Sequence, residues 1–311
     1  MDQDDFIIHV YCRVCQAYDQ VVSQLPHRLR RGGVEPGLSD CEVITMEVCG
    51  ELWKMNTDKD LFAHFKTHYQ SWFPQLRERS RFVRQAAALW QVKAHIQRVL
   101  VLQSGALEDA VQSIDTLPVS VCANARRFVD RCFKGQADSG YCAAKKLYFY
   151  GFKLGLRIAR CGLITHYELL GARAHDVTYL ETLVEGLDAP PQHDLLVPAD
   201  KGFIDKARAA LLKQRRGITI VTPPRRGEQR KMQTEHSKAL LAACSRWRKL
   251  IETVNAHLTE RFAVNRIRVH DLWHFQHRLI RKILAHTLAV CLNLQLGRKP
   301  LDLDGLLGRS K

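Results

Sequence analysis

The chain has 311 residues, 46% of them hydrophobic, enough to bury a sizeable core in about two domains. Lys and Arg number 47 against 32 Asp and Glu, a formal charge of +15. An excess of that size argues against an enzyme of small metabolites and for a polyanionic partner, nucleic acid first. The longest apolar run, around Ile283 to Leu296, is broken by His286 and Asn293 and falls short of the roughly 20 residues that a membrane span needs. The acidic stretch Met1 to Asp5 is unlike a basic leader, and the ten cysteines follow no framework spacing. Both features suit a cytoplasmic chain with reduced thiols. Cys12 and Cys15 make one CxxC pair with no second pair nearby, so two positions of a helix are a simpler reading than zinc.

Residues 4–24 carry Phe6, Val10, Val14, Ala17 and Val21 on one stripe, the period of a helix. The segment Gly32 to Gly37 is a turn-rich break. Ser39 and Glu42 form a capping box that opens a helix to about Met55. A further helix is expected over 58–69, and one long helix over 80–101, preceded by Arg77, Arg79 and Arg81. Residues 1–105 therefore read as a wholly helical region. A helix-turn-helix-like DNA-binding module and a packing domain with a basic face both fit it.

From 106 to 311 the pattern changes. Strands are expected at 111–115, 147–158, 163–170, 194–198 and 218–221, and helices over 177–187, 205–216, 238–262 and 271–296. The first three strands follow one another and should be antiparallel. The later ones are joined through helices and should be parallel. This is the α/β order of an RNase H-like mixed five-stranded sheet flanked by helices. No GxGxxG follows the first strand, which disfavours a dinucleotide-binding fold.

Three carboxylates stand out by position. Asp115 is expected to end the first strand. Asp200, in Asp200-Lys201-Gly202-Phe203, is expected to end the fourth, where Gly202 would give the backbone room to turn. Glu252 lies in the long helix, whose stripe Leu240, Cys244, Trp247, Ile251, Val254 and Leu258 should face the sheet. Glu252 sits at the edge of that stripe and can point along the sheet toward the strand ends, with Arg248 one turn before it. Two Asp and one Glu from three elements suit hard divalent cations, and two such ions stabilise the attacking and leaving oxygens of a phosphodiester displacement. Each residue also has a plainer role: Asp115 as a turn residue before Pro118, Asp200 as a cap, Glu252 as a partner of Arg248.

The segments Ser113 to Pro118, Gly140 to Lys153, Asp200 to Phe203 and Arg248 to Glu252 resemble, in this order, the blocks of bacterial insertion-sequence DDE transposases. Leu38 to Val43 resembles their N-terminal region. The resemblance implies that Asp115, Asp200 and Glu252 are the catalytic, metal-binding triad, holding two Mg²⁺ or Mn²⁺ ions. It implies cutting of element ends by metal-activated water and joining of the freed 3′-hydroxyl to target DNA. Terminal inverted repeats and target DNA would be the partners. At least a homodimer is expected in the DNA complex, because two ends must be held together. Some relatives carry a Tyr seven residues before the Glu and a Lys seven after it; here Ser245 and Thr259 stand there, which leaves Arg248 from that set.

Basic residues cluster beside these blocks. From Arg225 to Lys249, eight Lys and Arg face two Glu, and Arg126, Arg127, Arg131, Lys134, Lys145, Lys146 and Lys153 make a second group. Arg248, Lys145, Lys146, Lys201, Arg225, Arg226 and Lys249 are the expected DNA-binding residues, neutralising phosphates without reading sequence. His270, His274 and His277 have a weak zinc-like spacing, second to a basic helical face. A metal-dependent nuclease without strand transfer is the neighbouring alternative. A non-catalytic transposase-derived DNA-binding protein is another, and the intact triad argues against it.

Overall fold

The computed structural model describes residues 1–307 apart from 27, 28, 30, 31, 33, 34, 123, 127, 129–132, 143–145, 186–193 and 225–234, and apart from the side chains of 126, 181, 185, 235–241 and 243. In chain order the helices and strands are α1 (Gln3–Gln24), α2 (Asp40–Leu52), α3 (Asp58–His68), α4 (Arg79–Ala88), α5 (Trp90–Gln103), β1 (Ser113–Cys122), β2 (Asp138–Cys142), β3 (Leu147–Ile158), β4 (Ile164–Gly171), β5 (Leu195–Pro198), α6 (Lys206–Arg216), β6 (Ile218–Val221), α7 (Glu235–Ala256), α8 (Leu272–Gln295) and α9 (Leu303–Leu306). They form two compact units. One is Met1–Ser104 with Leu258–Lys311; the other is Gly105–His257. Among the described residues no helix is long and apolar enough to cross a membrane.

The helical unit follows the sequence pattern closely. The stripe Phe6, Val10, Val14, Ala17 and Val21 of α1 is buried. The capping box forms, with Ser39 Oγ accepting from Glu42 N at 3.2 Å and Glu42 Oε2 accepting from Ser39 N at 2.6 Å. Two expectations change. The long helix over 80–101 is broken at Leu89 into α4 and α5. There the Lys93 ammonium donates to Ala86 O at 2.9 Å, competing for a carbonyl that would serve the next turn of a continuous helix. Residues 258–311, grouped by element order with the sheet, pack instead in this unit. Their main element, α8, is buried almost all round from Leu279 to Asn293. A helix with no exposed face over that stretch needs neighbours on several sides, and α2 and α5 supply them.

This unit also encloses a charged network that apolar periodicity does not announce. Glu47 and Glu51 of α2, Asp58 at the start of α3, Lys93 of α5, and His277, Arg278, Arg281 and Lys282 of α8 meet in its interior. Arg281 Nε donates to Glu51 Oε1 at 2.5 Å, and its Nη1 to Asp58 Oδ1 at 2.8 Å and Glu47 Oε1 at 3.3 Å. Lys282 donates to Glu51 Oε2 at 2.8 Å and Lys93 to Glu47 Oε2 at 2.6 Å. Arg278 pairs with Asp58. Burial alone would raise the Glu51 carboxyl, but Arg281 and Lys282 hold it below the usual range. Burial outweighs Glu47 at Lys93 and brings its ammonium down to about 8.

His277 completes the network as a neutral base. Its Nδ1 lies 3.0 Å from Lys93 Nζ and accepts from that ammonium, and its Nε2 faces Glu47 Oε1 at 3.6 Å. Burial, then the charges of Lys93, Arg281, Arg278 and His274, push the imidazole far below its ordinary 6.5. The unfolded chain therefore takes up a proton below pH 6.5 that the folded chain refuses. Its stabilising contribution is present above that pH and lost as pH falls. Between pH 7 and 5.5 the wild type should lose roughly 1 kcal/mol more unfolding free energy than His277→Gln, read by urea denaturation at both values. Equal losses would refute the neutral assignment.

The second unit holds the sheet. β1 pairs antiparallel with β3 from Ser113↔Ile158 to Cys122↔Tyr150, and β3 pairs antiparallel with β4 on its other edge. β5 and β6 are parallel. Gln112 N donates to Leu196 O at 3.0 Å and Leu196 N to Ala110 O at 2.8 Å, so Val111 joins β1 to β5 in parallel. The lateral order is thus β4, β3, β1, β5, β6, with the first three antiparallel. β2 is a sixth strand, antiparallel to Leu147–Gly151 of β3, outside the expected five. Its residues, Asp138-Ser139-Gly140-Tyr141-Cys142, lack the apolar alternation that marks a strand. The core beneath β5 and β6 contains Ile114, Tyr179, Leu180, Leu183, Val197, Phe203, Leu212 and Ile218. The expected helix over 177–187 is a 3-10 turn at Asp176–Thr178 followed by a π turn at Glu181–Glu185.

Candidate active site

Asp115 lies inside β1, opposite Leu156, and does not end the strand. The strand expected over 111–115 runs on instead through Pro118 to Cys122. Past Gln112 its described partner strand is on the β3 side alone, an edge position that tolerates a proline. β5 stops at Pro198, and Ala199 N still donates to Val221 O at 2.9 Å, so Asp200 is the first residue beyond the sheet. It caps the 3-10 turn Lys201–Phe203, its Oδ1 accepting from Lys201 N at 2.6 Å. Glu252 stands on α7, with its side chain 63% exposed.

The helix is registered on the sheet by both packing and polar contacts. Cys244, Ile251 and Val254 are buried as the stripe required. Ser113 Oγ donates to Trp247 O at 3.3 Å and Asn255 Nδ2 to Asp115 Oδ2 at 2.9 Å, tying α7 to β1 at two points. Arg248 then bridges the other two carboxylates, with Nη2 3.5 Å from Asp200 Oδ1 and 3.9 Å from Glu252 Oε1. Among the described residues no three His, Cys, Asp or Glu side chains stand close enough to cage an ion as they are.

Asp115 is the electrostatically costly member. Burial raises its carboxyl from 3.8 to about 6, and the charges of Asp200 and Asp176 push the same way. The Thr116 N–H, donating to Oδ1 at 2.8 Å, and Arg248 oppose the shift. A half-buried carboxylate with like charges beside it, and an Arg guanidinium as the nearby cation, is a donor set that a divalent ion would satisfy better. The chemistry of these side chains suits such an ion; their present spacing does not enclose one.

Sequence reasoning missed Asp176 and Asn255. Asp176 stands just before the helix expected over 177–187, where an Asp is an ordinary cap. Folding brings it to the site: Thr116 Oγ1 and Lys153 Nζ both donate to its Oδ1, at 2.8 and 3.1 Å. A Cβ on Gly202 would lie 2.2 Å from Asp176 Oδ2, so the glycine makes room for this carboxylate. Asn255 follows Glu252 by three residues, a same-face helical spacing that could have flagged it.

Of the expected DNA-binding residues, Lys146, Lys201 and Lys249 are exposed and Arg248 is half-buried between two carboxylates. Lys145, Arg225 and Arg226 lie outside the described residues. The three histidines are not gathered: His277 is buried in the ionic network, His274 is exposed and pairs with Asp271 at 2.6 Å, and His270 is exposed.

No curated protein and no solved structure matches the chain. A protein family described as "Transposase DDE domain" matches residues 105–272, the span that contains the whole sheet, α7, Asp115, Asp200 and Glu252. That is more than half of the 311 residues, and the chain belongs to the transposase DDE domain family.

Proposed function

We propose that this chain is the transposase of a bacterial insertion sequence, that its sheet unit is an RNase H-like domain, and that Asp115, Asp200 and Glu252 form its catalytic triad. The observation that carries this reading is Asp115, a half-buried carboxylate with a raised pKa on the strand between β3 and β5, with Asp200 near enough to repel it. The strand order β4, β3, β1, β5, β6, antiparallel then parallel, supports the fold assignment.

Asp115, Asp200 and Glu252 would hold two Mg²⁺ or Mn²⁺ ions, which supply Lewis acidity at phosphorus and an activated water nucleophile. The chain's own residues do the remaining work. Asn255 and the Thr116 N–H fix the direction of the Asp115 oxygens. Arg248 offsets the charges of Asp200 and Glu252 and keeps Glu252 turned toward the strand ends. Lys146, Lys201 and Lys249 offer exposed positive charge to DNA phosphates, joined in this reading by Lys145, Arg225 and Arg226. The helical region 1–105 would contribute DNA binding, and a homodimer would hold the two ends.

The test uses the full chain and duplex DNA taken from both flanks of its coding sequence. In Mg²⁺ or Mn²⁺, nicks at the element ends and joining of pre-cut 3′-hydroxyl ends to a target plasmid are expected. Nicking without joining would leave a nuclease. No nicking in either metal would overturn the catalytic reading.

A further inference from the structure

Beside the candidate active site, on the β2–β3 side of the sheet, lies a groove of about 710 Å³. Its lining includes Tyr141, Tyr148, Tyr150, Lys153, Arg173 and His175. Tyr141 and Tyr148 are register partners across β2 and β3, with ring centroids 4.9 Å apart and planes at 50°. A cross-strand aromatic pair helps to hold a hairpin together. Yet these two side chains stay 51% and 63% exposed. Large aromatic surface left in water beside positive charge is the arrangement that binds unpaired nucleotides: bases stack on the rings and cations follow the backbone.

The charge of the groove agrees. Lys153 and Arg173 line it, and Asp138 is the one carboxylate among its described lining residues. Lys146, next to the tyrosine pair in the chain, is exposed. Lys153 also connects the groove to the site, because its ammonium donates to Asp176 Oδ1, whose other donor is Thr116, the neighbour of Asp115. From Tyr148 to Lys153, β3 covers about 17 Å, room for several nucleotides. A duplex hides its base faces in the stack and could use the cations but not the rings.

We propose that this groove binds an unpaired DNA strand leading away from the catalytic carboxylates, with bases on Tyr141 and Tyr148 and phosphates at Lys153 and Arg173. The inference rests on the reading of DNA as substrate. It predicts a strand preference that a general basic surface would not have.

The test is fluorescence anisotropy of the full chain, in EDTA, with a labelled ten-nucleotide oligo-dT and with a labelled duplex. Tyr141→Ala and Tyr148→Ala should each weaken oligo-dT binding about tenfold or more, and Tyr148→Phe, which keeps the ring, by less than about twofold. Duplex affinity should stay within about twofold for all three. The proposal fails if the wild type does not bind oligo-dT, if the alanine variants bind it like the wild type, or if duplex binding falls equally. A lowered melting temperature with unchanged oligo-dT affinity would reduce the pair to a hairpin brace and also overturn it. Because no divalent ion is present, this outcome is independent of the nicking assay. Nicking without oligo-dT binding overturns the groove alone, and oligo-dT binding without nicking overturns the catalytic reading alone.

Discussion

Asp115→Asn, Asp200→Asn and Glu252→Gln should each lower strand cleavage by on the order of 10³-fold while duplex binding stays within about twofold. Each substitution keeps shape and removes one negative charge from the set that would hold the ions. The three should differ in stability, and that difference separates a catalytic role from a structural one. Asp200 and Glu252 have side chains 52% and 63% exposed, so their neutral analogues should melt close to the wild type. Asp115 is half-buried and its pKa is raised to about 6. A raised carboxyl gives its full stabilisation below the unfolded pKa of 3.8 and loses it as pH rises through 6. At pH 7 the metal-free chain carries the cost, up to about 3 kcal/mol. Asp115→Asn should therefore melt higher than the wild type at pH 7 and lose this advantage near pH 4, provided the Asn255 amide turns to meet it. Metal-dependent cleavage by any of the three variants at the wild-type rate would remove that residue from the triad. An Asp115→Asn chain less stable than the wild type at pH 7 would argue that its carboxylate braces the fold.

The largest stability effect should come from the helical unit. Arg281→Met removes a guanidinium that meets Glu51, Asp58 and Glu47 at 2.5, 2.8 and 3.3 Å, with no side-chain exposure to water. Glu51→Gln removes the carboxylate shared by Arg281 and Lys282. A buried ion that loses its partner keeps its desolvation cost without compensation, so each substitution should cost about 3–5 kcal/mol. That corresponds to a fall in melting temperature of roughly 10 °C. The double variant should cost less than the sum of the two, since the partners solve the same electrostatic problem. Shifts under about 2 °C in both single variants would mean that water or repacking replaces the network at little cost. The network is tightly specified by count as well as by distance. Burial keeps His277 neutral there, and the four cations Lys93, Arg278, Arg281 and Lys282, set against Glu47, Glu51 and Asp58, add to that.

Much of this architecture is local enough to be legible in the chain. The stripe of α1, the Ser39–Glu42 box, the β3–β4 hairpin and the parallel β5 and β6 follow from apolar period, capping chemistry and connection rules. The apolar stripe of α7 set the face that packs on the sheet and thereby the side on which Glu252 emerges. Element ends were read less well where a tertiary partner supplies what a local signal would otherwise decide. Pro118 sits within β1 because the strand has an open edge there, and α4 and α5 separate where a buried lysine takes the Ala86 carbonyl. β2 had no pattern to read, because its residues serve a groove as much as a core.

By itself, then, the sequence determined the mixed helical and α/β character, the chain order of five of the six described strands, and the candidacy of Asp115, Asp200 and Glu252, since these rest on period, chirality and residue type along a single chain. The tertiary structure alone decided that α8 belongs with the N-terminal helices, that Asp176 and Asn255 join the carboxylates, and that Gly202 makes room for Asp176. It also decided the charge state of His277 and the high pKa of Asp115. The physical reason is the same in each case. Burial and electrostatic coupling depend on which groups meet across long stretches of chain, and no local pattern carries that distance.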